Sequence, residues 1–325
     1  MPLQITASQR NAIRDDILRN YAWPDGTESL RAALPNLSNA LDVDQLLHIA
    51  GEVQVRRAVT ITFASEEYLE LALKWTAALD RLHLCNYLVV CADAPSYKAI
   101  TASGIPAIHA NIDAGCDAFP SHSGFTPKGA SIVTLRFPVI RAILSQGFDV
   151  VLSDADAIWC GDPHPHFPQH ADLAFQRIAV HPPEMVRAWG FGLCSGFVFY
   201  RHTPATLAFL DDCISYNTRV ICDQVAANLA LLGSDMTWDL PESLLRELPI
   251  TDATAKRHFG SHSALSFQGV GSTYPLTAIA LSPEQFWRQR IIQPSSMVIC
   301  HPNSPKSQPE KLQILSQCLE KYQSQ

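Results

Sequence analysis

The sequence has no cluster of lysine or arginine residues, no long apolar run and no closely spaced cysteine pair. Its formal net charge is -7, and without a basic cluster nothing would neutralise consecutive phosphates, so we expect no nucleic acid as a partner. No run of about 18 apolar residues occurs, and the polar start of the chain lacks the features of a signal peptide. We therefore expect no membrane span.

The nine cysteines are scattered and include no CxxC pair, which argues against a zinc site or a redox motif. We interpret them as reduced, mostly buried thiols, and this predicts a cytoplasmic location. A lumenal catalytic domain that has lost its membrane anchor would have the same sequence features, and it is the alternative.

The composition is that of a globular protein with a sizeable core, because 47% of the residues are hydrophobic and 17% are charged. Helical spacing over residues 7–50 predicts a small helical extension, so we divide the chain into residues 1–50 and a single domain at 51–325. From residue 58, short apolar strands alternate with helices. This pattern predicts an α/β fold with a Rossmann-like, mixed and mostly parallel sheet flanked by helices.

Two carboxylates follow an apolar strand in the stretch GFDVVLSDADAIWCGDP, residues 147–163. Residues i and i+2 of a strand lie on the same side, so Asp154 and Asp156 should point together into the crevice at the carboxyl edge of the sheet, where ligands bind. Adjacent carboxylates repel unless a cation lies between them, and Mn²⁺ or Mg²⁺ is the natural ion. Alternatively, both aspartates cap the following turn. The spacing alone leaves both interpretations open.

The same stretch resembles the motif of the nucleotide-diphospho-sugar transferase family, which includes plant rhamnogalacturonan xylosyltransferases and a cytosolic protein α-galactosyltransferase. The matching residues are Gly147, Phe148, Asp149, Ser153, Asp154, Asp156, Trp159, Asp162 and Pro163. Further segments follow in the family's order, namely AVTITFASEEYLELALKW, NYLVVCADAPSY, LCSGFVFYRHTPAT and CDQVAANLAL. The resemblance covers residues 58–232, with a short echo at 298–311, and it implies an A-type glycosyltransferase fold.

This resemblance implies that a sugar nucleotide is held through a metal ion, Mn²⁺ or Mg²⁺. Asp156 would bind the metal directly, and Asp154 would bind the metal or the donor ribose. His301 would be the third ligand. Lys306 would reach the diphosphate oxygens, with Lys311 as the alternative.

The resemblance also implies a set of donor-binding residues, comprising Thr60, Thr62, Tyr68, Asp93, Arg136, Asp154, Ser195, Gly196 and Lys306. Arg141 is the alternative to Arg136 as the arginine that steers the donor phosphates. Asp223 and Gln224 would open a helix that points at the hydroxyls of the donor sugar, and they are the candidate catalytic residues. An aspartate at a helix start is also a common N-cap, which is the structural alternative.

The expected function is that of a metal-dependent retaining glycosyltransferase, either hexosyl- or pentosyl-, with a UDP-sugar as the donor and a hydroxyl of a glycan, a protein or a small molecule as the acceptor. Residues 51–163 would bind the nucleotide sugar and residues 164–325 the acceptor, and family grounds favour front-face attack. The rivals are a sugar-nucleotide nucleotidyltransferase or hydrolase and a non-catalytic carbohydrate-binding scaffold. The first strand lacks a following glycine-rich loop, which argues against the nucleotidyltransferase.

Overall fold

The computed structural model of the protein describes residues 2–23, 36–112, 127–220, 222–246, 248–249, 264–288, 296–302 and 307–323. The helices are α1 Ala7–Tyr21, α2 Leu37–Ala40, α3 Val43–Val53, α4 Leu69–Arg81, α5 Ala94–Ala102, α6 Pro127–Ser145, α7 Pro183–Trp189, α8 Pro204–Asn217, α9 Asp223–Gly233, α10 Glu242–Leu245 and α11 Gln308–Gln323. The strands are β1 Pro2–Gln4, β2 Ala58–Ala64, β3 Tyr87–Cys91, β4 Ala107–His109, β5 Asp149–Ser153, β6 Ile158–Trp159, β7 Leu173–Ile178, β8 Gly192–Tyr200, β9 Met236–Asp239, β10 Phe267–Gly271, β11 Thr277–Leu281, β12 Phe286–Trp287 and β13 Ile299–Cys300. None of the described helices combines the length and the apolar character needed to cross a bilayer.

Ten of these strands form one mixed sheet in the order β1-β9-β10-β11-β7-β8-β5-β2-β3-β4. At one end, β5, β2, β3 and β4 are parallel neighbours. The strand β8 lies antiparallel between β5 and β7, and β7 pairs in parallel with β11. The remaining neighbours, from β11 to β1, are antiparallel. The predicted α/β fold, a mixed sheet with a Rossmann-like parallel portion, is confirmed.

The parallel portion of the sheet is buried on both faces, as its continuous apolar strands require. Every residue of β2 and of β3 is buried. On one face, Ile61 of β2 packs in the same cluster as Phe137 of α6. On the other face, Ala64 of β2 packs with Trp75 of α4. Because helices cover both faces, the carboxyl edge of the strands is where a ligand can approach.

The first 50 residues contribute a strand to the main sheet as well as helices. The strand β1 pairs antiparallel with β9, so that Leu3 lies opposite Trp238. The helix α1 begins at a capping box formed by Thr6 and Gln9, and it packs against α7 and α9. The sequence predicts helices in this region but does not predict β1. The division of the chain at residue 50 stays a prediction.

A second sheet, of the three strands β12-β13-β6, brings the late part of the chain to the acidic motif. Ile299 of β13 pairs in parallel with Phe286 of β12 and antiparallel with Trp159 of β6. The backbone N–H of His301 donates to Trp287 O at 2.8 Å. Since β6 begins two residues after Asp156, this pairing places His301 beside the carboxylates.

Cys300 of β13 and Cys318 of α11 form a disulfide. The interpretation of the cysteines as reduced thiols is therefore wrong for this pair, whereas the other cysteines among the described residues are free. The scattered positions of the cysteines in the sequence do not reveal this pair. Cys300 and Cys318 meet only because α11 packs against β13. The disulfide ties the terminal helix to the strand that precedes His301.

The hydroxyl of Ser153 generates a prediction about stability. Its oxygen accepts hydrogen bonds from the indole N–H groups of Trp75 and Trp159, at 2.9 and 3.1 Å, and all three side chains are fully buried. Ser153→Ala would leave two buried donors without this acceptor, so we expect the free energy of unfolding to fall by about 3 kcal/mol. Urea unfolding followed by tryptophan fluorescence measures the change.

The control for this measurement is Ser103→Ala, because Ser103 is exposed at the end of α5 and bonds only to the backbone of its own helix. Its free energy of unfolding should stay within about 0.5 kcal/mol of the wild-type value. Equal unfolding midpoints for the wild-type protein and Ser153→Ala would contradict the prediction.

Candidate metal centre

Asp154 and Asp156 follow β5 and begin the turn that leads into β6. The backbone N–H of Asp154 donates to Gly196 O at 2.7 Å, which continues the pairing of β5 with β8, and Ala157 N donates to Asp154 O at 2.8 Å. Asp156 is buried, whereas the side chain of Asp154 is 24% exposed. Both residues therefore lie at the carboxyl edge of the parallel strands, in the turn beyond β5 and not within the strand to which the spacing rule applies.

Asp154, Asp156 and His301 form a candidate metal cluster, in which one ligand atom of each lies within 4.8 Å of the others. The Nε2 atom of His301 lies 3.3 Å from Asp156 Oδ1 and 3.8 Å from Asp154 Oδ2. Carboxylate oxygens suit Mn²⁺ and Mg²⁺, and a neutral imidazole is a common metal ligand. The donor set therefore fits the ion that the sequence predicts.

Two cations compensate the charge of the acidic residues. The Nζ atom of Lys311, on α11, lies 2.6 Å from Asp156 Oδ2. The guanidinium of Arg136, on α6, lies 2.6 Å from Asp154 Oδ1 and 2.8 Å from Asp223 Oδ2. Both aspartates of the motif are thus engaged in ion pairs, and Arg136 connects the candidate metal cluster to the candidate catalytic residue.

The two alternatives for the steering arginine lie in different surroundings. Arg141 pairs with Asp211 of α8, and both side chains are exposed. Arg136 is largely buried against the acidic residues, and its guanidinium also lies 5.8 Å from the ring centre of Phe63. Of the two arginines, the structure places Arg136 at the cluster. Its role toward a donor stays a prediction.

These ion pairs displace several pKa values. Burial alone would raise the pKa of Asp156, but His301 and Lys311 outweigh it and lower that pKa well below the ordinary aspartate value. Burial opposes the charge of Lys311, yet Asp156 raises the pKa of the ammonium. Burial and Arg288 act to lower the pKa of His301, but Asp156 raises it on balance. The ion pairs therefore hold the Asp156 carboxylate ionised.

Gly196 of β8 lies against two members of the cluster. A Cβ atom at this position would come closer than 3.0 Å to Asp154 Oδ2 and to His301 Cε1. The neighbouring Ser195 is buried in the same strand. The close approach of β8 to the carboxylate and the imidazole thus requires glycine at position 196.

Asp223 and Gln224 begin α9. The Asp223 carboxylate accepts from Gln224 N at 2.8 Å through Oδ1 and is held by Arg136 through Oδ2. Cys222 is the N-cap residue of the helix, so Asp223 lies in the first turn and is not itself the N-cap. The side-chain amide of Gln224 donates to His181 O at 2.9 Å. The structure brings Asp223 to the cluster, and the catalytic roles of both residues stay predictions.

Four residues are predicted to border the base and ribose of the donor, namely Thr60, Thr62, Asp93 and Tyr68. The first three lie apart from the ion pairs of the cluster, and Tyr68 lies beside Lys311. Thr60 and Thr62 are fully buried within β2, and neither hydroxyl has a hydrogen-bond partner among the described residues. Asp93 caps α5 by accepting from Ser96 N at 2.9 Å, and it also accepts from Glu66 N. These contacts show a structural use for Asp93, and its predicted role toward a ligand stays untested.

Tyr68 borders the cluster through Lys311, whose Nζ atom lies 5.4 Å from the centre of the tyrosine ring. Lys306, the predicted diphosphate ligand, lies outside the described residues. Its alternative, Lys311, is the lysine that the structure places at the carboxylates.

Two residues at the cluster were not identified from the sequence. Gln176 of β7 has Oε1 at 2.8 Å from His301 Nδ1. The NH1 group of Arg288 lies 2.7 and 2.8 Å from the two ring nitrogens of His301. A glutamine in the strand LAFQRI, which is apolar except for Gln176 and Arg177, is a signal that could have indicated Gln176. Arg288 has no comparable signal in the sequence.

Comparison with known families gives a match over the central part of the chain. Residues 82–238 match the sequence model of the family described as nucleotide-diphospho-sugar transferase. The matched range contains the acidic motif, β8 and the start of α9. The family resemblance expected from the sequence is confirmed.

Several curated proteins are similar to parts of the chain. A β-arabinofuranosyltransferase of Arabidopsis thaliana is 25% identical over 186 residues, which are 56% of this chain and 34% of that protein. A UDP-galactose:fucoside α-3-galactosyltransferase of Dictyostelium discoideum is 31% identical over 94 residues, 29% of this chain and 14% of that protein. An arabinosyltransferase of Arabidopsis thaliana is 22% identical over 211 residues, 58% of this chain and 48% of that protein. The chain thus spans less than half the length of these relatives.

Among solved structures, mouse xyloside xylosyltransferase 1 in its apo form is similar to the chain with a TM-score of 0.35 and 14% identity. The similarity covers 54% of this chain and 82% of the mouse chain.

The close approach of Gly196 predicts a loss of metal binding on substitution. Gly196→Ala would push the added Cβ into Asp154 and His301, so we expect the Mn²⁺ affinity of the protein to fall at least tenfold, roughly 1.4 kcal/mol of binding free energy. Isothermal titration calorimetry with MnCl₂ measures the affinity.

The matched control is Gly161→Ala, because a Cβ at position 161 meets its nearest neighbour only at 3.9 Å. This variant should bind Mn²⁺ as the wild-type protein does. Wild-type affinity in Gly196→Ala would mean that the cluster tolerates the shift of its ligands and would contradict the prediction.

Proposed function

Residues 82–238 belong to the nucleotide-diphospho-sugar transferase family, and on that premise we propose that the chain is a metal-dependent, retaining glycosyltransferase. It would transfer a hexose or a pentose from a nucleoside diphosphate sugar to a hydroxyl of a glycan, a protein or a small molecule. The observation that carries this proposal is the convergence of Asp154, Asp156 and His301 at the carboxyl edge of the sheet, within reach of Asp223 through Arg136.

Asp156 and His301 are the residues that would hold Mn²⁺ or Mg²⁺, together with Asp154. A bound divalent cation supplies neutralisation of the charge that develops on a departing diphosphate. Asp154 is the more exposed carboxylate, which supports its second predicted role as a contact of the donor ribose. Gly196 and Ser195 would lie beneath the donor sugar, because a strand without a side chain at position 196 allows close approach.

Lys311 is our candidate for the contact with the donor diphosphate. Its ammonium already lies among the metal-binding carboxylates, with Nζ at 2.6 Å from Asp156 Oδ2. A cation that enters the cluster competes with Lys311 for this oxygen, and the released ammonium would then meet the phosphate oxygens of the donor. Arg136, which lies between Asp154 and Asp223, would orient the donor from the opposite side.

We favour front-face attack over a covalent intermediate on Asp223. Both carboxylate oxygens of Asp223 are engaged, one by the guanidinium of Arg136 and one by the backbone N–H of Gln224. Neither oxygen can attack the anomeric carbon without giving up one of these contacts. NMR of the anomeric configuration of the product tests retention, and a glycosyl group on Asp223 detected by mass spectrometry would overturn the front-face route.

We propose UDP as the nucleotide of the donor, and we propose either a hexose or a pentose as the donor sugar. The name of the Dictyostelium relative contains UDP-galactose, and the names of the two plant relatives refer to arabinose. These names support a UDP-sugar with either a hexose or a pentose. Transfer and hydrolysis assays with UDP-galactose and UDP-arabinose separate the two.

We propose an oxidising compartment, the lumenal alternative, in preference to the cytoplasm predicted from the sequence. The support is the Cys300–Cys318 disulfide, since the cytosol keeps most protein thiols reduced. Alkylation of the protein in cells followed by peptide mass spectrometry tests the assignment. Free thiols at Cys300 and Cys318 would instead support the cytoplasmic location predicted from the sequence.

The central experiment is calorimetric titration of UDP into the protein with and without Mn²⁺. We expect UDP to bind only with the metal, and we expect Asp156→Asn to weaken this binding on the order of a hundredfold, because the variant loses a charged ligand of the cluster. Asp211→Asn on the exposed face of α8 is the matched control and should bind UDP normally. Equal UDP binding without Mn²⁺ would overturn the metal-dependent donor site.

The same titrations distinguish the competing functions. A protein that binds neither Mn²⁺ nor UDP fits the non-catalytic scaffold. A protein that binds both but releases UDP or UMP from the sugar nucleotide without transfer to any hydroxyl acceptor fits the hydrolase or the nucleotidyltransferase.

Lys311→Met is expected to change the Mn²⁺ affinity and the UDP affinity of the protein in opposite directions. Without nucleotide, the variant should bind Mn²⁺ more tightly than the wild-type protein, because the ammonium no longer competes for Asp156. At saturating Mn²⁺, it should bind UDP at least tenfold more weakly, because the diphosphate loses a charged hydrogen-bond donor. A fall in both affinities would show that Lys311 supports the cluster only as a structural cation.

A further inference from the structure

Gln176 is a fully buried polar side chain that lies between the second sheet and His301. Its amide Nε2 group donates to two backbone carbonyls, Phe286 O at 3.1 Å and Trp287 O at 3.0 Å. Its Oε1 atom lies 2.8 Å from His301 Nδ1. All three contacts have ordinary hydrogen-bond lengths, and both ends of the amide are therefore engaged.

The two carbonyls determine which way the amide points. If the amide were rotated by 180°, Oε1 would face the carbonyl oxygens of Phe286 and Trp287, and acceptors would oppose acceptors at about 3 Å. A buried arrangement of that kind is costly. The NH₂ group must therefore point at β12, and Oε1 must point at His301.

The direction of the amide in turn determines which nitrogen of His301 carries the proton. An amide oxygen only accepts, so the Nδ1 atom that faces Gln176 must be the N–H of the neutral ring. The Nε2 atom then has a free lone pair, and it is the nitrogen that lies 3.3 Å from Asp156 Oδ1 and 3.8 Å from Asp154 Oδ2.

Two other groups contact the ring, and neither of them selects a tautomer. The NH1 group of Arg288 lies 2.7 Å from Nδ1 and 2.8 Å from Nε2, so it contacts both ring nitrogens about equally. The thiol of Cys194 also interacts with His301, and a thiol donates or accepts weakly. Gln176 is thus the neighbour that selects between the two tautomers.

We propose that Gln176 is a positioning residue that holds His301 in its Nδ1–H tautomer and so prepares Nε2 to bind the metal ion. This inference rests on the proposed function, in which His301 is a metal ligand. Without the amide oxygen, the proton is free to move to Nε2 and to point at Asp156, and a protonated Nε2 cannot bind a metal ion. Loss of such a partner of a metal-binding histidine typically weakens metal affinity about 10- to 100-fold.

Two variants of the same residue isolate the acceptor. Gln176→Met and Gln176→Glu are close to glutamine in length, and both lose the amide donors to Phe286 and Trp287. Only Gln176→Glu keeps an oxygen that accepts from Nδ1, and a proton on its second oxygen is needed where that oxygen faces the carbonyls of Phe286 and Trp287. We expect Mn²⁺ affinity, measured by calorimetry and by electron paramagnetic resonance of free Mn²⁺, to fall at least tenfold in Gln176→Met and to recover most of that loss in Gln176→Glu.

Phe175→Leu controls for damage to the strand itself. Phe175 precedes Gln176 in β7 and packs on the opposite face, in the aromatic group with Trp238. The variant should lower the melting temperature without changing the Mn²⁺ affinity of the folded protein. Comparison with this variant separates a general loss of stability from a change at His301.

A spectroscopic measurement reads the tautomer directly and needs no metal. In protein labelled with ¹⁵N-histidine, at a pH well above the raised pKa of His301, two-bond ¹H–¹⁵N spectra distinguish a protonated Nδ1 from a protonated Nε2. The signal of His301 is identified by its absence from His301→Gln. We expect a protonated Nδ1 in the wild-type protein and in Gln176→Glu, and a shift toward protonated Nε2 in Gln176→Met.

The outcomes separate this inference from the proposed function. If the wild-type protein binds Mn²⁺ and Gln176→Met binds it equally well, or if His301 keeps the Nδ1–H tautomer in Gln176→Met, then the role of Gln176 is overturned and the metal centre stands. If the wild-type protein binds no Mn²⁺, the metal centre of the proposed function is overturned, and the inference falls with it.

Discussion

Compensation of negative charge at the end of β5 is the constraint on which the site depends. The carboxylates of Asp154, Asp156 and Asp223 lie close together, and unpaired carboxylates in such surroundings would cost several kcal/mol each. Arg136 meets two of them and Lys311 meets the third. Because these cations belong to α6 and α11, the ion pairs fix two helices against the carboxyl edge of the sheet. Under the proposed function, a divalent ion that binds Asp156 would compete with Lys311, and this competition would couple metal binding to donor binding.

The parts of the fold that are encoded locally could be predicted from the sequence. The strands β2, β3 and β5 are continuous apolar runs. Such runs are the sequence pattern expected of parallel strands that are buried on both faces. The placement of Asp154 and Asp156 at the carboxyl edge follows from their position directly after β5, although both lie in the turn beyond the strand. Assignment of His301 to the cluster needed the family resemblance, because nothing in its own segment indicates a ligand.

The parts that depend on distant pairing could not be predicted. The strands β6, β12 and β13 have two residues each, which is too short for any periodic pattern, and they exist because each is stabilised by a neighbour far away in the sequence. Gln176 and Arg288 contact His301 only because this small sheet places His301 beside them. The disulfide was missed for the same reason, since the spacing of Cys300 and Cys318 does not reveal that α11 turns back onto β13.

The order of the site residues along the chain has a consequence for synthesis. Arg136 and the two aspartates of the motif leave the ribosome well before His301 and Lys311, which follow much later in the sequence. Until then, Asp156 has neither its imidazole neighbour nor its ammonium partner. A nascent chain therefore cannot complete the site one segment at a time. Under the proposed function, the chain would gain its complete set of metal ligands only once the segment that carries His301 has been translated.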